Sequence, residues 1–138
     1  MVEAAVHVGA DPVASIGPGL LVLVGIRPND DEESGLRLVE RLLHYRIFAD
    51  SAGKMNLSLE QVQGALLLVP QFTLAADTRS GLRPGFSTAA PPDQARGLFE
   101  SVVQAARSRY GHVETGVFGS HMRVSLTNDG PVTFWLES

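Results

Sequence analysis

Two apolar stretches constrain the fold of this 138-residue chain more than any other feature. Leu20–Ile26 consists of leucine and β-branched residues apart from Gly25, and a second apolar run lies within Gly64–Leu74. Continuous apolar runs of this length, bounded by turn residues such as glycine, are typical of strands that are buried on both faces. The sequence therefore predicts two buried strands.

Helical periodicity follows each of these strands. Asn29 or Asp30 can cap a helix that runs to about Tyr45, and a second helix is expected to begin at Pro91 or Pro92 and to end near Tyr110. Shorter strands are predicted near residues 4–8, 13–16, 46–48, 113–118, 122–127 and 132–137. This order predicts an α+β fold, in which both helices pack on one side of a mixed sheet. The expected apolar faces of the helices are Leu36, Val39, Leu42 and Leu43 in the first and Leu98, Val102, Val103 and Ala106 in the second.

The composition narrows the class of protein. Hydrophobic residues make up 44% and charged residues 19%, which predicts a packed core and a single domain over residues 1–138. The absence of cysteine excludes disulfides and thiolate chemistry. No signal peptide or membrane-length apolar run is visible, so a cytoplasmic protein without a membrane partner is expected. A net charge of −4 with 11 Lys and Arg argues against wrapping a duplex, but permits binding the end of an RNA.

Two short segments are the candidates for chemistry. The first is Gln71-Phe72-Thr73-Leu74, at the end of the second apolar run, and the second is Asn128-Asp129-Gly130-Pro131-Val132-Thr133. From the residues alone, a structural interpretation is favoured for both. A threonine beside a phenylalanine is an ordinary strand residue, and Asn-Asp-Gly followed by proline is a strong hairpin-turn signal.

Together the two segments resemble the signature motifs of the D-aminoacyl-tRNA deacylases, homodimeric enzymes that hydrolyse D-amino acids from mischarged tRNA. The resemblance extends from about Ser15 to Ser138 and includes Ile16–Leu20, Gly53–Asn56, Ala76–Arg79 and Glu114–Gly116. It implies a three-layer β/β/α fold, a homodimer, the aminoacyl-tRNA 3′ end as partner, and no cofactor or metal.

The resemblance also implies roles for individual residues. The Phe72 backbone N–H and the Thr73 hydroxyl would face the ester carbonyl and stabilise the tetrahedral oxyanion. No Gly-x-Ser-x-Gly elbow is present, and the four histidines, His7, His44, His112 and His121, are more typical of surface or packing positions. We therefore expect direct attack by water, assisted by a free hydroxyl of the terminal ribose, with no covalent intermediate.

Selectivity is expected to come from Gly130 and Pro131. In the family this peptide bond is cis, and its carbonyl oxygens project into the active site of the partner subunit, where an L side chain would lie. D-aminoacyl groups, and glycine mischarged on tRNA-Ala, would be accepted. Gln71, Pro70 and Met122 match further substrate-binding positions of the family. Gln71 could contact adenosine or position Thr73, and Met122 could pack on the ligand, although a strand amide and a core methionine are equally good interpretations.

The chain departs from the family pattern at two places. Most members have serine where this chain has Pro70. Members also usually open with a strand containing Gln-Arg-Val, whose arginine helps to hold the Gly-Pro loop, whereas this sequence opens with Met1-Val2-Glu3. The resemblance thus implies a missing or shortened first strand and an exposed sheet edge.

Other functions and contacts stay open at this point. Lys54, Arg79 and Arg83 are candidates for contacts to acceptor-stem phosphates, with solvated charges as the ordinary interpretation. A catalytically weak module that binds the tRNA end or D-amino acids is the main alternative function. A serine esterase is disfavoured because the sequence shows no Ser/His/acid arrangement.

Overall fold

The structure is a computed structural model that describes residues 1–138. Eight strands and three α-helices form the fold, together with a single-turn 3-10 helix. In chain order the elements are β1 (Glu3–Val8), β2 (Asp11–Ile16), β3 (Gly19–Val24), α1 (Glu32–His44), β4 (Phe48–Ala49), β5 (Met55–Leu57), α2 (Leu59–Val62), β6 (Ala65–Pro70), the 3-10 helix (Phe72–Ala75), α3 (Pro92–Arg109), β7 (Val113–Thr115) and β8 (Arg123–Thr127).

The strands form two three-stranded sheets and a small hairpin-like pair. In one sheet the order is β2-β1-β8 and every pair is antiparallel. In the other the order is β3-β6-β7 and both pairs are parallel, while β4 pairs with β5. The two apolar runs of the sequence are therefore neighbouring parallel strands, consistent with their lack of alternation.

Strand β6 separates two hydrophobic cores. Leu66 and Leu68 pack with the helices on one face, and Leu67 and Val69 pack against the antiparallel sheet on the other. All four side chains are almost completely buried, and each contributes about 1.5–3 kcal/mol through burial. The layers are thus antiparallel sheet, parallel sheet and helices, which confirms the expected three-layer arrangement of an α+β fold.

Helix α1 begins slightly later than the sequence predicts. Asp31 caps it by accepting from the Ser34 N–H at 2.8 Å, and the Asp31 N–H donates to Ser34 Oγ at 2.9 Å. Asp30 is not the cap because its carboxylate accepts from the Arg27 N–H instead. Of the expected apolar face, Val39, Leu42 and Leu43 are buried, whereas Leu36 is exposed.

Helix α3 starts at Pro92 as predicted and packs against α1. A Cβ atom on Gly35 of α1 would lie 3.1 Å from Val102 of α3, so a glycine in mid-helix permits the close approach of the two helices. The inward residues Val102, Val103 and Ala106 are buried as expected, and Leu98 is partly buried. None of the three helices combines the length and the apolar character that a membrane-spanning helix requires.

Two strand predictions are wrong. The second apolar strand ends at Pro70 rather than Leu74, because its parallel partner β3 ends at Val24 and the chain then turns into the 3-10 helix. Residues 132–137 form no strand: from residue 131 onward the chain makes no backbone–backbone hydrogen bond. An alternating sequence alone does not produce a strand where no neighbouring strand supplies the ladder.

Candidate active site

The turn at Gln71 leaves two backbone donors free. The Gln71 N–H makes the last bond to β3, to the Val24 carbonyl at 2.8 Å, and the Leu74 N–H then returns to the Gln71 carbonyl at 3.2 Å. No acceptor within the chain takes the N–H groups of Phe72 and Thr73. Both residues are exposed, so these donors are available to a ligand.

The Thr73 hydroxyl is oriented by its neighbour. The Gln71 side-chain amide donates to Thr73 Oγ1, which occupies an acceptor site of the hydroxyl and leaves its hydrogen for another partner. The structure thus brings Gln71, Phe72 and Thr73 together on the 3-10 turn rather than along a strand. The interpretation of Gln71 as a residue that positions Thr73 agrees with this contact.

An aromatic pair lies beside these donors. Phe72 is 58% exposed, and its ring centroid is 5.3 Å from that of Phe86 at an interplanar angle of 51°. The loop that carries Phe86 is pinned by two reciprocal backbone bonds between Asp77 and Gly85 and by the Thr88 hydroxyl, which donates to the Ala75 carbonyl at 2.6 Å. Phe86 was not among the site residues predicted from the sequence, although an aromatic residue in a Gly/Pro-containing loop was a usable signal.

Pro70 and Met122 are also brought together. A Cβ on Gly116 would lie 2.9 Å from Met122 Sδ and 3.4 Å from Pro70 Cδ, so the three residues pack against one another. The Val117 N–H donates to Met122 Sδ at 3.3 Å and fixes the thioether. Both Pro70 and Met122 are partly buried, and the Met122 side chain adjoins the end of β6 from which the Gln71 turn departs.

Gly130 and Pro131 lie on a separate, exposed loop, and the peptide bond between them is cis. Asn128 closes this loop: its Oδ1 accepts from the Val132 N–H at 3.1 Å and its Nδ2 donates to Thr133 Oγ1 at 3.0 Å. No hydrogen bond joins the loop to the 71–73 turn of the same chain. Asn128 belongs to the second signature segment, and its two hydrogen bonds make it a functional candidate beyond the turn-forming role that the sequence predicts.

The cations predicted to contact acceptor-stem phosphates differ in whether they are already paired within the chain. Asp77 accepts two hydrogen bonds from the Arg79 guanidinium, each at 2.9 Å, and these bonds lower the pKa of the Asp77 carboxyl to about 2. Arg79 is therefore committed to an internal ion pair. Lys54 and Arg83 are exposed and make no salt bridge, so they are the freer cations for phosphate contacts.

The histidines do not form a catalytic arrangement. His44 lies between Glu40 and Glu60 on the helical face, 3.0 Å from Glu60 Oε2, and His112 packs edge-on against Tyr110. No serine hydroxyl is hydrogen-bonded to a histidine, and no group of three or more His, Cys, Asp or Glu side chains could hold a metal ion. The candidate site is therefore the 71–73 turn, with its two free N–H groups and the Thr73 hydroxyl.

Comparison with known proteins shows which family the chain resembles. The family described as D-Tyr-tRNA(Tyr) deacylase matches residues 1–137. The chain is 62% identical over 136 residues to a D-aminoacyl-tRNA deacylase of Azotobacter vinelandii, covering 99% of this chain and 94% of that protein. It is 59% identical to a D-aminoacyl-tRNA deacylase of Pseudomonas aeruginosa, with 98% and 93% covered.

Two solved structures share the fold. One, described as a c-Myc DNA unwinding element binding protein, superposes with a TM-score of 0.94 at 37% identity and covers 99% of this chain and 93% of its own. The other, described as a probable eukaryotic D-amino acid tRNA deacylase, has a TM-score of 0.76 at 18% identity, with 91% and 89% covered. The free donors, the signature segments and these matches lead to one conclusion: the chain belongs to the D-Tyr-tRNA(Tyr) deacylase family.

Proposed function

We propose that this protein is a D-aminoacyl-tRNA deacylase that hydrolyses the ester bond between a D-amino acid and the tRNA 3′ end. Support comes from the family match and from relatives about 60% identical that carry this name. The observation that carries the proposal is the pair of free N–H groups of Phe72 and Thr73 beside the oriented Thr73 hydroxyl. We infer that residues 1–138 act as one domain, because β6 contributes to both cores.

In the proposed reaction, water attacks the carbonyl carbon of the aminoacyl ester. A new carbon–oxygen bond forms, and negative charge develops on the carbonyl oxygen, where the Phe72 N–H and the Thr73 hydroxyl donate. The bond between the carbonyl carbon and the ribose oxygen then breaks. The ribose oxygen takes a proton that comes from the attacking water, and the neighbouring ribose hydroxyl relays it. Oriented donors in place before the reaction lower the barrier without reorganisation, so no nucleophilic side chain is needed.

The residues around the donors are suited to hold the tRNA end. The exposed ring of Phe72, with Phe86 beside it, offers a stacking surface for the terminal adenine. Gln71 holds the Thr73 hydroxyl, and Pro70 and Met122 form the adjoining wall. Contacts of this kind recognise a single-stranded RNA end without many cations, which agrees with a net charge of −4.

Chiral selection is assigned to the Gly130–Pro131 backbone of a second copy. The loop is exposed and makes no hydrogen bond to the 71–73 turn of its own chain. Insertion into the partner's site in a homodimer would explain this exposure. Its carbonyl oxygens would occupy the space of an L side chain. D-aminoacyl groups and glycine, including glycine on tRNA-Ala, would be accepted because no side chain is bound.

Matched charged tRNAs test the activity. We expect release of D-tyrosine from D-tyrosyl-tRNA and of glycine from glycyl-tRNA-Ala, with L-tyrosyl-tRNA left intact. Binding of the RNA end without release would indicate a binding module instead. An acyl-enzyme trapped on a serine would contradict direct water attack.

A mixed dimer tests whether the Gly-Pro loop acts in trans. One subunit carries Thr73→Ala and the other carries Gly130→Ala. If the loop acts in trans, the Gly130→Ala subunit keeps its own Thr73 and receives an intact loop, so the mixed dimer is active and D-selective. If the loop acts in cis, the only active site keeps the altered loop, and hydrolysis of L-aminoacyl-tRNA persists. Light scattering of the unmodified protein should give the mass of two chains.

A further inference from the structure

The Arg96 side chain is an exposed cation that no acceptor of the chain occupies. Most arginine guanidinium groups contact a carboxylate or carbonyl oxygen of the same chain, as those of Arg79 and Arg109 do. Arg96 forms no salt bridge, although Asp93 and Glu100 lie on neighbouring turns of the same helix, α3. The N–H donors of its guanidinium are therefore open to a ligand.

An aromatic ring holds this cation in place. The guanidinium carbon of Arg96 lies 4.8 Å from the centroid of the Phe118 ring. Phe118 is partly buried against the core, 6.2 Å from the ring of Phe99. Gly119 leaves room for the guanidinium, because a Cβ there would lie 3.3 Å from Arg96 Nη2. A guanidinium already held over an aromatic face loses less conformational freedom when it binds an anion.

The loop that carries Phe118 leaves the same sheet edge as the 71–73 turn. Strands β6 and β7 are parallel neighbours. The turn follows the carboxyl end of β6, and residues 116–120 follow the carboxyl end of β7. The two segments adjoin each other, because a Cβ on Gly116 would lie 3.4 Å from Pro70 Cδ.

The amino end of α3 lies at this edge as well. The Ala90 N–H, just ahead of the helix, donates to the Ile26 carbonyl at 2.9 Å, just after the end of β3. Strand β3 is the other parallel neighbour of β6, and Arg96 lies in the second turn of α3. The unpaired guanidinium and the proposed oxyanion donors thus share the carboxyl edge of a parallel sheet, where ligands of such sheets commonly bind.

We propose that Arg96 binds a phosphate of the single-stranded 3′ end of the tRNA, with the Phe118 ring as its platform. The inference rests on the proposed function, because it takes the aminoacyl ester to lie at the 71–73 turn. A planar guanidinium can donate two parallel hydrogen bonds to phosphate oxygens. Lys54 and Arg83 are also without a salt bridge, but no aromatic ring lies beneath either of them.

The salt dependence of RNA binding tests this contact. The probe is a hairpin RNA with a single-stranded 3′ end, whose terminal ribose carries D-tyrosine through a stable amide bond. Loss of one phosphate contact to a single strand reduces the slope of log Kd against log salt concentration by about 0.7. Arg96→Ala should show this reduction and should bind the probe about fivefold more weakly at low salt. Arg96→Lys keeps the charge and should keep most of the slope.

The same helix supplies a matched control. Arg107 of α3 is exposed and forms no salt bridge, and it lies about 16 Å further along the helix axis at 1.5 Å per residue. Arg107→Ala changes the net charge by the same amount as Arg96→Ala. It should leave both the affinity and the salt slope close to those of the unmodified protein.

A second measurement separates phosphate binding from support of the loop. Because the Val117 N–H donates to Met122 Sδ, a displaced 116–120 loop would move the Met122 methyl group. The ¹³C-methyl resonance of Met122 should be unchanged in Arg96→Ala, since Phe118 still packs against Phe99 and the core. The kcat for D-tyrosyl-tRNA at saturation should also be unchanged, while KM rises.

Two results would remove Arg96 from RNA binding. The first is a salt slope in Arg96→Ala equal to that in Arg107→Ala. The second is a lowered kcat with a shifted Met122 resonance and an unchanged slope, which would make Arg96 a support for the loop. Failure of the unmodified protein to bind the probe at low salt would instead contradict the proposed function, and this inference with it.

Discussion

The 71–73 turn and the 128–133 loop carry the two signature segments, and they are built differently. The turn leaves β6, whose side chains are buried in both cores, and it is fixed by backbone bonds at both ends. The loop is exposed and is held mainly by the side chain of Asn128. In the proposed reaction the donors for the oxyanion need a fixed position, and the turn that carries them follows directly after the buried strand β6. The proposed obstruction in a second copy requires a segment that is exposed in its own chain, as the 128–133 loop is.

Replacement of Thr73 tests the turn and should have the largest effect. Thr73→Ala removes a donor without removing a nucleophile, so hydrolysis of D-tyrosyl-tRNA should fall about 10²–10³-fold in kcat. Thr73→Ser keeps the hydroxyl and should retain most of the activity. The single-turnover rates of the two variants are compared. Equal losses of rate would show that the hydroxyl is not the donor.

A change at Gly130 tests the loop through its backbone. The residue has a φ of 143°, and a Cβ there would lie 2.8 Å from Val132 Cγ2, so Gly130→Ala must displace the loop. The ratio of D- to L-tyrosyl-tRNA hydrolysis should fall about tenfold or more, in the range that small steric changes produce. Unchanged selectivity with an intact dimer would remove the loop from chiral selection.

Replacement of Asn128 tests how much the structure of the loop depends on a single side chain. Asn128→Ala loses the bonds to Val132 and Thr133, so unfolding free energy should fall by about 1 kcal/mol and selectivity should fall less than in Gly130→Ala. Asn128→Asp keeps the acceptor for the Val132 N–H, so its stability and selectivity should lie between those of the unmodified protein and those of Asn128→Ala. Thermal unfolding and the D-to-L ratio are measured on the same samples; an unaffected ratio in Asn128→Ala would show that the loop is rigid without it.

Removal of the Asp77–Arg79 ion pair next to the turn should have the smallest effect of these changes. Because Arg79 lowers the pKa of Asp77 to about 2 from 3.8, the pair stabilises the fold above pH 4 and loses this contribution as the pH falls toward 2. Asp77→Asn should therefore lower Tm slightly at pH 6, and the difference from the unmodified protein should shrink between pH 4 and 2. A constant difference across that window would contradict the assigned ionisation.

The sequence predicted the parts of the fold that depend on local pattern. The apolar run of β6 and most of the apolar stripe of α1 were predicted because strand burial and helical periodicity are visible in the order of residues. The cap of α1 was predicted too early, at Asn29 or Asp30, whereas the structure has it at Asp31. The candidate site residues come from the two signature segments, and the structure places three of them, Gln71, Phe72 and Thr73, together.

The remaining features depended on neighbours that are distant in sequence. The strand before Gln71 stops at Pro70 because β3 stops at Val24, and Phe86 reaches Phe72 only because the Asp77–Gly85 bonds fold its loop back.

Residues 132–137 carry a pattern typical of a strand and yet form none, because a strand exists only where another backbone accepts its hydrogen bonds. By itself the sequence determined which segments are buried, and it supplied the two motifs that are candidates for the chemistry. Only the tertiary structure decided where those segments end and which backbone groups remain free, since pairing is a property of two segments rather than of one.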